Sequence, residues 1–147
     1  MSKVVPMISS GVAGPLGVLH LPRLWLKASL EAAGKLHPDY PGCGKGYDGM
    51  TLAALGIKEE DFLAFIKGSK PSYTQLEAWV KAYPGVKLTK ADLYKHNQSI
   101  LGYIHGDNVR TGILDAAGLA DDGSVNPGAV DLNNLDDWTT FWSAELK

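Results

Sequence analysis

The chain has 147 residues, enough for one domain with a sizeable core. A hydrophobic share of 45% excludes a disordered polymer, and a net charge of −2, from 14 basic and 16 acidic residues, offers no electrostatic case for nucleic acid. The single cysteine, Cys43, excludes an internal disulfide framework and suits a reducing compartment.

Residues 1–10 carry one positive charge and an apolar run cut by Pro6 and Ser9-Ser10, a poor secretory signal. No run approaches the roughly 20 apolar residues of a membrane span. These features lead us to expect a cytoplasmic protein without membrane contact. Residues 9–18 are rich in Gly and small side chains, so 1–18 reads as an irregular lead-in lying on a single helical domain.

The next stretch organises the chain. Pro22 fits a first helical turn, where its missing N–H costs nothing, and Gly34 fits the left-handed position just past a helix end. Between them the apolar residues cover roughly two thirds of the helical circumference, which predicts a central, buried helix. Arg23, Lys27 and Glu31 fall four apart in one narrow polar strip. Residues 35–49 hold two prolines and four glycines and predict a long loop rich in polar and aromatic side chains.

Short helices follow at 50–55, stopped by Gly56, and at 59–67, with acids in the first turn and Lys67 in the last. Ser72 with Gln75, and Thr89 with Asp92, have the spacing of capping boxes for two more. Gly102 interrupts the second of these. Asp107 is placed to cap a helix over 108–117, residues 120–134 read as a polar loop, and Asp136 or Asp137 as the cap of a last helix. In that helix Trp138, Phe141 and Trp142 have the spacing of a buried stripe, with a partner surface as the alternative. No alternating run is long enough for a strand. The expected fold is all-α, a single compact domain of six or seven short helices around the central one.

Two constellations are candidates for chemistry. His20, Arg23 and Lys27 lie along one edge of the central helix near its positive end, a pattern suited to holding a carboxylate or phosphate. The alternative is a solvated strip in which Lys27 and Glu31 form an ordinary pair worth about 0.3 kcal/mol. In the loop, Gly42, Gly44 and Gly46 permit close backbone approach to a ligand, but no P-loop pattern is present. Cys43 is either a thiol activated by Lys45 or His20 or a small buried hydrophobe. Tyr40 and Asp48 are a candidate proton donor and orienting carboxylate, or else a core filler and a helix cap.

The histidines, His20, His37, His96 and His105, show no helical metal-ligand pair. A metal site assembled across the fold, such as His20 with His37 and Asp39, is left open. Paired helices between Thr74 and Ile100 have too long a connection for a helix-turn-helix, and the stretch lacks arginine, so no nucleic-acid partner is expected.

The series His20-Leu21-Pro22-Arg23-x-x-x-Lys27, Gly34-Lys35-Leu36, Asp39-Tyr40-Pro41-Gly42-Cys43 and Leu55-Gly56-Ile57 with Glu60 and Phe62 resembles a family of small bacterial proteins known as a domain of unknown function. The match covers roughly the first half of the chain. It implies a small α-rich fold in which the helix and the loop after it form one unit. It also implies that His20, Arg23, Lys27 and Tyr40 matter together, and it supplies no reaction.

The combined expectation is a cofactor-independent, metal-independent enzyme of lyase or isomerase type acting on a small anionic molecule. His20, Tyr40 and Asp48 are its catalytic candidates, and Arg23, Lys27 and Cys43 its substrate-binding ones. A non-catalytic module holding a small molecule or a protein in the same basic pocket is the alternative. A homo-oligomer is left open.

Overall fold

The structure is a computed structural model and describes residues 3–147. Seven α-helices follow in order: α1 Leu21–Ala32, α2 Tyr47–Leu55, α3 Glu59–Ser69, α4 Tyr73–Ala82, α5 Lys90–Leu101, α6 Asp107–Ala116 and α7 Ala129–Phe141, the last running into a π-turn at Trp142–Leu146. Among the described residues there is no strand, only isolated bridges at Val4–Leu36 and Ile104–Gly128. No described helix is long and apolar enough to cross a membrane.

α1 is the central helix because its apolar faces meet three neighbours, α2, α3 and α4. Leu21, Leu24 and Ala28 pack with Leu52 and Leu55 of α2, Phe62 and Ile66 of α3, and Leu76 and Val80 of α4. Val18 carries the lead-in into the same core. A second, smaller cluster of Tyr47, Ile100 and Ala129 joins α2, α5 and α7, and α6 packs on α7. The capping boxes at Ser72–Gln75 and Thr89–Asp92 are both formed, and α5 stops at Gly102.

Four local expectations are corrected. α2 starts at Tyr47 behind Gly46, with no side-chain cap, so Asp48 sits in the first turn and is turned inward. Gly106, not Asp107, precedes α6; Asp107 is its first residue and pairs with Arg110 at 3.0 Å. α7 begins at Ala129, which places Asp136 and Asp137 within the helix rather than at its cap. The polar run Asn133-Asn134-Leu135-Asp136-Asp137 reads as loop in one dimension, yet its polar groups belong to a helix that lines a cavity. Finally, Trp138 and Trp142 are 59% and 50% exposed and form no buried stripe, because α7 turns its Leu132 and Asp137 side to the protein.

The lead-in is held by polar contacts as well as Val18. Glu77, buried on α4, accepts hydrogen bonds from the Tyr73 hydroxyl at 2.6 Å and the Leu16 N–H at 3.3 Å. Gly14 lies against this pair, and a Cβ there would run into the Tyr73 ring and the Glu77 carboxylate. Gly14→Ala is therefore expected to cost about 1–3 kcal/mol by overpacking, read as a lower urea midpoint with an unchanged m-value.

Candidate functional site

Where α1 meets the start of α2, Asp48 gathers three donors. His20 Nε2 lies 2.6 Å from Oδ1, and Oδ2 accepts from Lys27 Nζ at 2.6 Å and from the Gly44 N–H at 2.7 Å. The loop glycines thus bring a backbone amide onto a carboxylate of this chain. On its other side His20 Nδ1 lies 2.9 Å from the Ser10 hydroxyl. Ser10, His20 and Asp48 are 1%, 2% and 3% exposed. An ionised carboxylate accepts only, so Nε2 carries the ring proton and Nδ1 accepts from Ser10. The chain of hydrogen bonds runs Ser10, His20, Asp48, Lys27.

One turn towards the N-terminus of α1, Arg23 reaches α7. Its guanidinium donates to both carboxylate oxygens of Asp137, at 2.6 and 3.0 Å, and to the carbonyls of Pro6 and Ile8, each at 2.8 Å. The Tyr40 hydroxyl donates to Asp137 Oδ1 at 3.0 Å, and the Tyr40 ring lies 5.8 Å from the guanidinium carbon. Arg23 and Lys27 are therefore not a solvated strip. Both are buried, and each is neutralised by one aspartate. Glu31 leaves the series and accepts from the Gly42 N–H at 3.1 Å.

Burial sets the protonation of the dyad. Removal from water lowers the His20 pKa below 6.5 against the opposing hydrogen bond and charge of Asp48, so the imidazole is neutral. Burial alone would raise Asp48, but the His20 hydrogen bond and the Lys27 charge outweigh it and hold the carboxyl well below its usual range. Burial, then the Asp137 charge, raises the Tyr40 hydroxyl above its ordinary value, which suits it to donating a hydrogen bond rather than releasing a proton. His20 also takes a left-handed backbone, φ 74°, at the entry to α1. A non-glycine residue there costs roughly 1–3 kcal/mol, offset by the two ring bonds and the packing around it.

These groups form one wall of a cavity of about 420 Å³, lined by Ser10, His20, Arg23, Lys27, Tyr40 and Asp48. The opposite wall comes from the second half of the chain. From His20 the ring of Tyr47, on α2, and then those of Tyr103 and His105 follow at 5.4, 5.6 and 6.0 Å, the first contact tilted and the other two edge-to-face, and His105 Nε2 lies 2.8 Å from Asn133 Oδ1. The Asp136 carboxylate lines this wall, and neither a hydrogen bond nor an ion pair dominates its surroundings. Burial and the adjacent Asp137 charge raise its pKa. Asp39 and Lys45 stand exposed at the mouth.

Of the residues singled out from sequence, His20, Arg23, Lys27, Tyr40 and Asp48 thus come together around one concavity. Cys43 does not line it; its thiol faces Glu59 Oε1 at 3.3 Å. Burial, then that hydrogen bond, pushes the thiol up to about 12. Native protein is therefore expected to react with iodoacetamide at pH 8 at least about 100-fold more slowly than the protein unfolded in urea, because thiolate is the nucleophile. Comparable rates would show an activated Cys43. His37 faces Asp39 at 4.0 Å, and among the described residues no three His, Cys, Asp or Glu side chains gather as a metal site.

Ser10, Asn133, Asp136 and Asp137 carry no mark in the sequence as site residues, and Asp136 and Asp137 read there only as helix caps. Ser10 is ten residues from His20 within an irregular segment, and Asp137 is 114 residues from Arg23, so no local spacing marks either. The one available signal was the excess of buried-helix cations, Arg23 and Lys27, which demanded carboxylates somewhere. Comparison of the chain with protein-family models, with curated proteins and with solved structures found no match.

Proposed function

We propose that the protein is a small-molecule enzyme working by acid/base proton transfer, of lyase or isomerase type, with His20 as the base. The observation that carries this is the 2.6 Å bond from His20 to a buried, ionised Asp48 at the wall of the cavity. Asp48 stabilises the imidazolium that forms when His20 takes a proton, as the carboxylate of a catalytic His–Asp pair does. Because Ser10 covers Nδ1 and Asp48 covers Nε2, the proton reaches His20 through the Ser10 hydroxyl. The Lys27 ammonium has three donors, of which Asp48 takes one, and the rest are available for a carboxylate of the substrate. Tyr40 and Arg23 hold the wall in register.

The test is deuterium exchange. In D2O the wild-type protein should wash deuterium into the carbon adjacent to the carbonyl of at least one of a panel of 2-oxo and 3-hydroxy acids. His20→Gln should slow this by about 100-fold or more. Equal exchange in both proteins, or none in either, sinks the assignment. The exposed Trp138 and Trp142 favour a second reading, a module that docks a protein through α7, with the cavity as a ligand sensor.

A further inference from the structure

Ser10 is the group through which His20 meets the cavity, and it is the least exposed member of the chain Ser10–His20–Asp48. Its oxygen lies 2.9 Å from a ring nitrogen whose partner nitrogen is held 2.6 Å from a carboxylate. We propose that Ser10 is a nucleophile and that the protein carries an acyl-transfer activity towards small esters or thioesters. The three roles of a serine–histidine–aspartate site are filled, with the two ring nitrogens exchanged: the hydroxyl sits on Nδ1 and the carboxylate on Nε2. Either nitrogen of an imidazole accepts a proton while the other stays bonded to the carboxylate, so the exchange leaves the chemistry intact. Lys27 and Arg23, each paired with a buried aspartate, line the cavity with N–H donors that those pairs leave unused. A developing oxyanion would be stabilised there.

The step balances without a redox partner. Ser10 Oγ bonds the carbonyl carbon of the ester as its proton passes to His20 Nδ1. The carbon–alkoxy bond breaks, and the leaving oxygen takes that proton from His20. The products are an alcohol and acyl-Ser10. Water then attacks the acyl carbon, gives a proton to His20, and Ser10 leaves with it as the free acid is released. This inference rests on His20 being the base, as the acid/base reading does, but not on that reading's substrates.

The probe is p-nitrophenyl acetate with the full chain, followed by nitrophenolate release and by mapping the acetyl group with peptide mass spectrometry. Acetyl should appear on Ser10, and Ser10→Ala should lower nitrophenolate release by about 100-fold or more. Ser9→Ala, whose hydroxyl bonds the Gly11 N–H and lies outside the cavity lining, should match wild type. Should Ser10→Ala fail to fold, phenylmethanesulfonyl fluoride on the wild-type protein asks the same question, since the expected adduct is a sulfonyl ester on Ser10. Acetyl or sulfonyl groups found only on lysines or tyrosines overturn the proposal. If His20-dependent deuterium exchange survives in such protein, only acyl transfer is lost; if exchange is absent too, the His20 assignment falls with it.

Discussion

Asp48→Asn should lower the unfolding midpoint by roughly 10 °C or more. Asp48 is 3% exposed and is the shared acceptor of His20, Lys27 and the Gly44 amide. Neutralising it leaves Lys27 as a buried cation without a counter-charge, and half of the amide presents donors to donors. Breaking a buried pair from one side costs about 3–5 kcal/mol, and a chain of this length loses roughly 3 °C per kcal/mol.

The pH dependence carries the same signature. The folded pKa of Asp48 is depressed, so its contribution is fully present above the unfolded carboxyl value of about 4. It is lost as pH falls through the lower folded value. The folded pKa of His20 is also depressed, so stability falls as pH drops below 6.5, where the unfolded chain takes up a proton that the native state refuses. Urea midpoints followed from about pH 8 down to about pH 1.5 should thus decline in two stages. His20→Gln should shrink the upper stage, which His96 shares because burial lowers its pKa too, and Asp48→Asn should shrink the lower one. A single decline that neither substitution alters would show that the dyad does not set acid stability.

Arg23→Lys should be nearly as damaging, which separates a built ion pair from a surface charge. The guanidinium holds both Asp137 oxygens and the carbonyls of Pro6 and Ile8, tying α1, α7 and the lead-in at one point. An ammonium has neither the fork nor the reach to serve all four. The expected cost is about 3 kcal/mol, with faster amide exchange at Val4 and His37, whose N–H groups pair the lead-in to the loop after α1. Asp137→Leu alone should cost about as much. Arg23→Met with Asp137→Leu should cost clearly less than the two single changes summed, because no charge is then buried alone. Additive losses would mean that the pair does not act as a unit.

Much of the fold is written locally. Pro22 and Gly34 bound α1, Gly56 ends α2, and the capping boxes open α4 and α5, since helix ends answer to the few residues that satisfy their free N–H and C=O groups. The all-α class follows from the helical spacing of apolar residues and the absence of an alternating run. The same local signals fail on α7, where a polar run is helical because tertiary neighbours receive its side chains: Asp137 meets Arg23, and Asn133 meets His105. They fail also for Trp138 and Trp142, whose spacing defines a stripe without saying which way it faces.

For the site, the sequence alone determined one half: a helix edge bearing His20, Arg23 and Lys27, and a glycine-rich loop that carries Tyr40 and leads into Asp48. Their types and spacing made those groups legible as a cluster. Only the tertiary structure decided what the cluster is. It turned two apparent free cations into buried pairs, placed the Ser10 hydroxyl on the imidazole, and closed the cavity with a wall from α7 and the segment before α6. The physical reason is that a buried charge must be compensated, while the compensating residue has to be near only in space; at 114 residues along the chain, Asp137 leaves no trace in the spacing around Arg23.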